Sequence, residues 1–138
     1  DPARLEGIVI DDKDAIFVGE WGQSSSVNGY VGTAYRHDNN AMKGECRAEF
    51  SVPIAHSGMY EVRVYYTANP NRATNARVAI VSSTAESTFN INQREDNDKG
   101  FRSLGKFTFD ETDRVKIIVK NDETDGYVIV DAVQLIKK

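Results

Sequence analysis

The chain has 138 residues, 40% of them hydrophobic and 28% charged, and carries a net charge of −4. That length suits one domain around one core, and that mixture suits a folded chain rather than a disordered one. An acidic balance, with pI about 5.2, argues against nucleic acid as a partner, since phosphate recognition wants a basic face, and leaves open only a local basic patch from the arginines near polar turns; no apolar run approaches the ~20 residues of a membrane span, which excludes a membrane helix.

No secretory leader is visible at the start. The abrupt opening on Asp1-Pro2 leads to the expectation that residues 1–138 are a single module excised from a larger multidomain protein. Almost no helix is predicted. The first strands are residues 7–10 and 15–18, separated by Asp11-Asp12. Residues 19–44 follow as a long excursion with glycines, a serine run, Trp21, Tyr30 and Tyr35 but little periodicity. An excursion of that length in a compact domain is functional or packed as an ordered loop.

Strand 47–52 comes next, beside the chain's one cysteine, Cys46. A lone cysteine forms no internal disulfide. It reads as a buried small apolar residue, since a catalytic thiol would need His37 or His56 as partner. In strand 59–66, Tyr60, Val62, Val64 and Tyr66 alternate onto one face. The polar turn after it holds Asn69, Pro70, Asn71, Arg72, Thr74 and Asn75, far more hydrogen-bonding side chain than a reversal of direction needs. Loops of this kind on a rigid sheet are where binding concentrates.

Strands 76–81 and 87–92, a turn at Asn97-Asp-Lys-Gly100, and strands 105–109 and 114–120 complete the middle of the chain. In 114–120, Val115, Ile117 and Val119 face one way and Arg114, Lys116 and Lys120 the other, giving one buried and one solvated side. After the turn Asn121-Asp-Glu-Thr-Asp-Gly126, the run 127–136 is apolar on both sides, so this strand should be central. Short strands with regular turn signals give a β-sandwich or jelly roll.

Catalysis leaves no positive mark. Glu20, Glu49 and Glu61 form no recognisable pair for glycoside hydrolysis, and no nucleophile elbow, zinc-binding helix or phosphate loop is present. His37 beside Asp38 reads as a structural histidine or an acid/base dyad. Asp11, Asp12, Asp14, Asp38, Asn39, Asn40 and Asp131 raise the question of calcium, which takes six to eight oxygen ligands. Asp131 stands inside an apolar strand, where a carboxylate must be paired, metal-bound or near the surface. Trp21, Tyr30, Tyr35, Tyr65 and Tyr66 offer flat faces on which sugar rings stack, while Trp21 equally suits a loop anchor. Arg36, Arg72, Arg94 and Arg102, set near polar turns, could pair bidentately with carboxylates.

The run Asp11-Asp-Lys-Asp-Ala-Ile-Phe-Val-Gly-Glu-Trp21, then Ser24-Ser-Ser-Val-Asn-Gly-Tyr-Val-Gly-Thr-Ala-Tyr-Arg-His-Asp38, resembles the golvesin C-terminal-like domain, also called the xanthan lyase carbohydrate-binding-like domain. Gly58-Met-Tyr-Glu-Val62, Asn71-Arg-Ala-Thr-Asn75, Asn92-Gln93, Leu104-Gly-Lys-Phe107, Thr124-Asp-Gly-Tyr-Val128 and Val130-Asp-Ala-Val133 continue the likeness in order. The resemblance implies an all-β, single-domain sandwich of jelly-roll, galactose-binding-like type. It also implies a secreted or cell-surface, non-catalytic carbohydrate-binding module with a catalytic domain in the same polypeptide and an anionic bacterial polysaccharide, xanthan above all, as partner.

The expected ligand site combines the 19–44 excursion with the 69–75 turn. Arg36 and Arg72 would meet carboxylates, Trp21, Tyr35 or Tyr66 would stack, and Asn71 and Asn75 would bind hydroxyls. No cofactor is expected beyond structural calcium, which the acidic residues leave open. The alternative is a structural sandwich that packs on a partner domain and binds no sugar.

Overall fold

The computed structural model describes residues 4–95 and 100–138. Its strands are β1 (Ile8–Asp11), β2 (Ile16–Val18), β3 (Gly22–Ser24), β4 (Tyr35–His37), β5 (Arg47–Pro53), β6 (Gly58–Tyr65), β7 (Ala76–Val81), β8 (Glu86–Ile91), β9 (Phe101–Phe109), β10 (Arg114–Lys120), β11 (Ile129–Val130) and β12 (Ala132–Lys137). A single 3₁₀ turn at Asp12–Asp14 is the helical element among the described residues. The predicted turn at Asn97-Asp-Lys-Gly100 lies, Gly100 excepted, outside the described residues.

The strands form a 4-stranded sheet in the order β1-β12-β6-β9, a 5-stranded sheet in the order β2-β5-β10-β7-β8, and a 3-stranded sheet in the order β11-β4-β3. All the strand pairs are antiparallel, and one isolated parallel bridge joins Arg72 to Tyr127. This is the expected all-β jelly-roll sandwich. Period-two alternation builds it: Ala48, Phe50 and Val52 of β5, Tyr60, Val62 and Val64 of β6, and Val115, Ile117 and Val119 of β10 meet between the sheets.

Strand β12 lies between β1 and β6, as its two-sided apolar pattern requires. Val133 and Leu135 enter the main core. On the other side, Ala132 joins Tyr65 and Val31 in a second small cluster, against which Leu5 and Phe101 pack. Where β6 meets β9, the register slips between Val62 and Arg63, with Val62 opposite Gly105 and Arg63 opposite Ser103. Gly105 sits at φ +106, a value open to glycine and unfavourable for other residues, and this bulge turns the extra residue, Leu104, into the core.

Three findings differ from the expected strands, the first being that β9 starts at Phe101 rather than at residue 105. The 127–136 run breaks at Asp131, because the Asp131 carbonyl accepts the Asp12 N–H at 2.8 Å and its carboxylate accepts the Val31 N–H at 2.9 and 3.1 Å. The chain thereby passes from the three-stranded to the four-stranded sheet. The 19–44 excursion contains β3 and β4, which pair with each other as Gly22 to His37, Gln23 to Arg36 and Ser24 to Tyr35. Three residues per strand are too few to show a period.

The end of the excursion, from Asp38 to Gly44, is fixed by Asn121, which is 0% exposed. Its Oδ1 accepts the N–H groups of Gly44 and Cys46. Its Nδ2 donates to Asp38 Oδ2, Ala41 O and Met42 O. The loop it holds contains Asn39, Asn40 and Met42 at positive φ, conformations that persist only when surroundings impose them. Asn121→Ala should leave several of these groups orphaned, each costing about 1–3 kcal/mol. Thermal melts should show a total loss of about 3 kcal/mol or more, against a change within about 0.5 kcal/mol for Met59→Ala, since Met59 is 45% exposed.

Candidate functional site

Alternation along β4 sends Arg36 to one side of the three-stranded sheet and Tyr35 and His37 to the other. On the first side, the Arg36 guanidinium carbon lies 4.7 Å from the centre of the Phe17 ring. Phe17 meets Trp21 edge to face at 5.5 Å, and the Trp21 Nε1–H donates to Val18 O at 3.0 Å. Trp21 is thus fastened as an anchor while its ring remains half-buried beside Phe17 and Arg36. These three side chains form one half-buried aromatic and cationic group at the edge of the core.

On the other side, the geometry corrects the direct-contact roles expected of three residues. Tyr35, Tyr66 and Arg72 are 2%, 3% and 4% exposed. Every guanidinium nitrogen of Arg72 is engaged: Nε donates to Thr67 O, Nη1 to Asn71 Oδ1, and Nη2 to Thr67 Oγ1 and the Tyr35 hydroxyl. The Tyr66 hydroxyl donates to Glu95 O at 3.0 Å. Burial pushes the Tyr35 phenol up, but hydrogen bonds from Ser24, Arg72 and Val27, with the Arg72 charge, bring it below its usual value. These residues hold the loops in place and leave no free group for a ligand.

The Asn-rich turn is stitched to the 121–127 loop. Asn75 Nδ2 donates to Glu123 O and its Oδ1 accepts the Asp125 N–H, so both ends of that amide are committed. Asn71 is exposed, with its Oδ1 bound by Arg72. Arg94 and Asp125, with side chains 41% and 48% exposed and 4.0 Å apart, share this rim. Arg94 is visible in the sequence as a turn arginine; Asp125 lies in the 121–126 turn, for which the sequence suggests no ligand role. Of the expected ligand residues, Trp21, Arg36 and Asn71 reach the surface, while Tyr35, Tyr66, Arg72 and Asn75 support them.

Three carboxylates come together beneath Arg36. Asp11, Asp12 and Asp131 are 6%, 4% and 1% exposed, and Arg36 Nε stands 3.5 Å from Asp12 Oδ2. At that separation charge attraction acts, but neither atom makes a hydrogen bond. Burial pushes the Asp131 carboxyl up to about 8 against the opposing Val31 hydrogen bond. Burial, then the neighbouring Asp11 charge, pushes Asp12 up to about 7 despite Arg36. Among the described residues no group of three His, Cys, Asp or Glu side chains is placed to hold a metal ion.

The remaining candidates are structural. Asp38 accepts the Asn40 and Val128 N–H groups and bonds Lys43 and Asn121. His37 Nδ1 accepts the Asn39 N–H at 3.1 Å, and burial lowers the imidazole pKa. The pair is therefore no acid/base dyad. Cys46 is 2% exposed, and burial pushes its thiol up.

The family model described as the Golvesin C-terminal domain matches residues 8–137. A xanthan lyase of Bacillus sp. (strain GL1) is 28% identical over 139 residues, which cover 96% of this chain and 15% of that lyase. The structure of a Paenibacillus xanthan lyase superposes with a TM-score of 0.88 at 32% identity, covering 94% of this chain and 13% of the other. A family 35 carbohydrate-binding module from Clostridium thermocellum shares the fold at TM-score 0.65 and 18% identity, over 97% of this chain and 100% of that one. The chain therefore spans only a small part of the lyases it matches.

The carboxylate cluster makes stability depend on pH. The Asp131 and Asp12 carboxyls hold their protons more tightly folded than unfolded, where 3.8 is the ordinary value. Their contribution is full below about pH 4 and is lost as pH rises through about 7 to 8. Asp131→Asn keeps an oxygen for the Val31 amide and cannot ionise. Melting curves from about pH 5 to about pH 9 should fall less steeply for this variant than for the parent chain, with the two converging at the acid end.

Proposed function

This chain belongs to the Golvesin C-terminal domain family, and we infer that it is a non-catalytic carbohydrate-binding module that holds an attached polysaccharide-degrading enzyme on an anionic bacterial polysaccharide, xanthan. The observation that carries this reading is the match of nearly the whole chain to a short part of xanthan lyases, the relation expected of an accessory module to its enzyme.

The Phe17, Trp21 and Arg36 patch supports it chemically. A sugar ring presents C–H groups to an aromatic face, and a guanidinium grips a carboxylate bidentately. Xanthan carries such carboxylates on its glucuronate and pyruvate groups. Burial and the Asp11 charge push the Asp12 carboxyl up, and Arg36 makes no hydrogen bond to it through Nε. Asn71 on the neighbouring turn is placed for hydroxyls. A secreted or cell-surface location follows from this role.

Isothermal titration of the chain with lyase-treated xanthan oligosaccharides should give saturable heat, and neutral cello-oligosaccharides should give none. Arg36→Ala should weaken binding about tenfold or more, the worth of a charge-assisted hydrogen-bond pair, with little change in melting temperature. Arg72→Ala should instead lower melting temperature sharply. Silence with both sugars would favour a structural module, for which the exposed Ile16 and Val18 at 60% and 37% would be the apolar contact.

A further inference from the structure

The outer faces of the two large sheets are built differently. On the four-stranded sheet, the Glu61 carboxylate is engaged by two cations and part of the apolar surface is covered. Arg63 grips Glu61 through two bonds of 3.0 Å, Lys138 stands 3.4 Å from the same carboxylate, and the second apolar cluster covers part of the remainder, where Lys106 and the exposed Met59 also lie. The five-stranded sheet has no such cover among the described residues. Its outward positions carry Arg47, Arg77, Arg114, Lys116 and Lys120 against Glu49 and Glu86, in a chain whose net charge is −4.

The cations are also aligned. Lys120 pairs directly with Arg47 of β5 on one side and with Arg77 of β7 on the other. Directly opposed residues of an antiparallel sheet share a face with Cβ atoms about 5 Å apart, and like charges so placed destabilise the sheet. With strands spaced ~4.8 Å, the row spans ~10 Å across the sheet. Val18 extends it beyond Arg47, and Asn90 extends it beyond Arg77. Arg47 is 3.6 Å from Glu49, but among the described residues neither Lys120 nor Arg77 has an acidic partner within ion-pair distance. A depression of about 200 Å³ opens beside the row, lined by Arg47 and Lys120 together with Gly44, Glu45, Cys46 and Asp122.

We propose that the row Arg47, Lys120 and Arg77 on the outer face of the five-stranded sheet is a second polysaccharide-contacting surface, which takes the carboxylates of an extended anionic chain whose end or branch is held at the Arg36 patch. This rests on the carbohydrate-binding reading and extends it. A sheet face carrying a row of cations suits a repeating polyanion, because a long chain can keep carboxylates against the row as it moves, whereas a short ligand held at the Arg36 patch does not extend to it. The contribution is electrostatic, with Arg47 exposed and Arg77 and Lys120 half-buried, so it is screened over ~8–10 Å at ordinary salt.

The test uses Lys120→Glu, Lys120→Gln and Arg36→Ala with two probes, polymeric xanthan and a short xanthan oligosaccharide, at low and moderate salt. Lys120→Glu sets a carboxylate between two guanidiniums, so its melting temperature should hold or rise. Its affinity for the polymer should fall about tenfold with a flatter salt dependence, and its affinity for the oligosaccharide should stay unchanged. Lys120→Gln should give a smaller fall in the same direction, while Arg36→Ala should weaken both probes. Polymer affinity unchanged in both Lys120 variants but lost in Arg36→Ala would overturn the second surface and leave the module intact as a carbohydrate binder. Failure of the parent chain to bind either probe would overturn both readings. Binding of anionic vesicles or DNA through Lys120, with no retention of xanthan, would overturn the proposed occupant.

Discussion

A buried carboxylate governs how the parts of this domain are joined. Asp131 stands where the chain leaves the three-stranded sheet for the four-stranded one. Its carboxylate takes the Val31 amide, and its carbonyl takes the Asp12 amide at the end of β1. One residue thereby fastens the first strand, the long excursion and the last strand. Burying such a group is costly unless hydrogen bonds or protonation compensate; here both do. The apolar sequence around it fixes where the strand must lie, and the carboxylate fixes where it must break.

The proposed binding surface and its loop support are divided between neighbouring residues. In β4, Arg36 points towards Phe17 and the surface, while the adjacent Tyr35 points inward to Arg72. Arg72 in turn closes the 67–72 turn on itself. The buried side makes the exposed side rigid, so Arg36 and Trp21 present their charge and ring without first having to be ordered. Preorganisation of this kind lowers the entropic cost of holding a ligand.

Most of the fold was legible because burial imposes period two on the long strands: Val115, Ile117 and Val119 could face only a core, and β12 could lie only between neighbours. β3 and β4 were not legible, since three residues cannot display a period and Gly22 and Ser24 carry no strand preference. The site was legible in part. The loops were identified by their excess of hydrogen-bonding side chains, but sequence does not say whether a side chain bonds outward or inward. Arg72 and Asn75 bond inward, to Thr67 and to the 123–125 backbone, and that depends on how two loops distant in sequence meet. The cationic row escaped notice for a related reason: Arg47, Arg77 and Lys120 become neighbours only when β5, β10 and β7 are in register.

The pairing of β1 with β12 has a mechanical consequence. Ile8 lies opposite Leu135 and Asp11 opposite Ala132, so both strands run out at the same end of the sandwich, side by side. Tension drawn between the two ends would load that ladder one pair at a time, opening it as a zipper rather than shearing all its hydrogen bonds together. A polymer gripped on the loops or on the five-stranded face, and tethered through only one of the two ends, would carry its load past this seam without opening it.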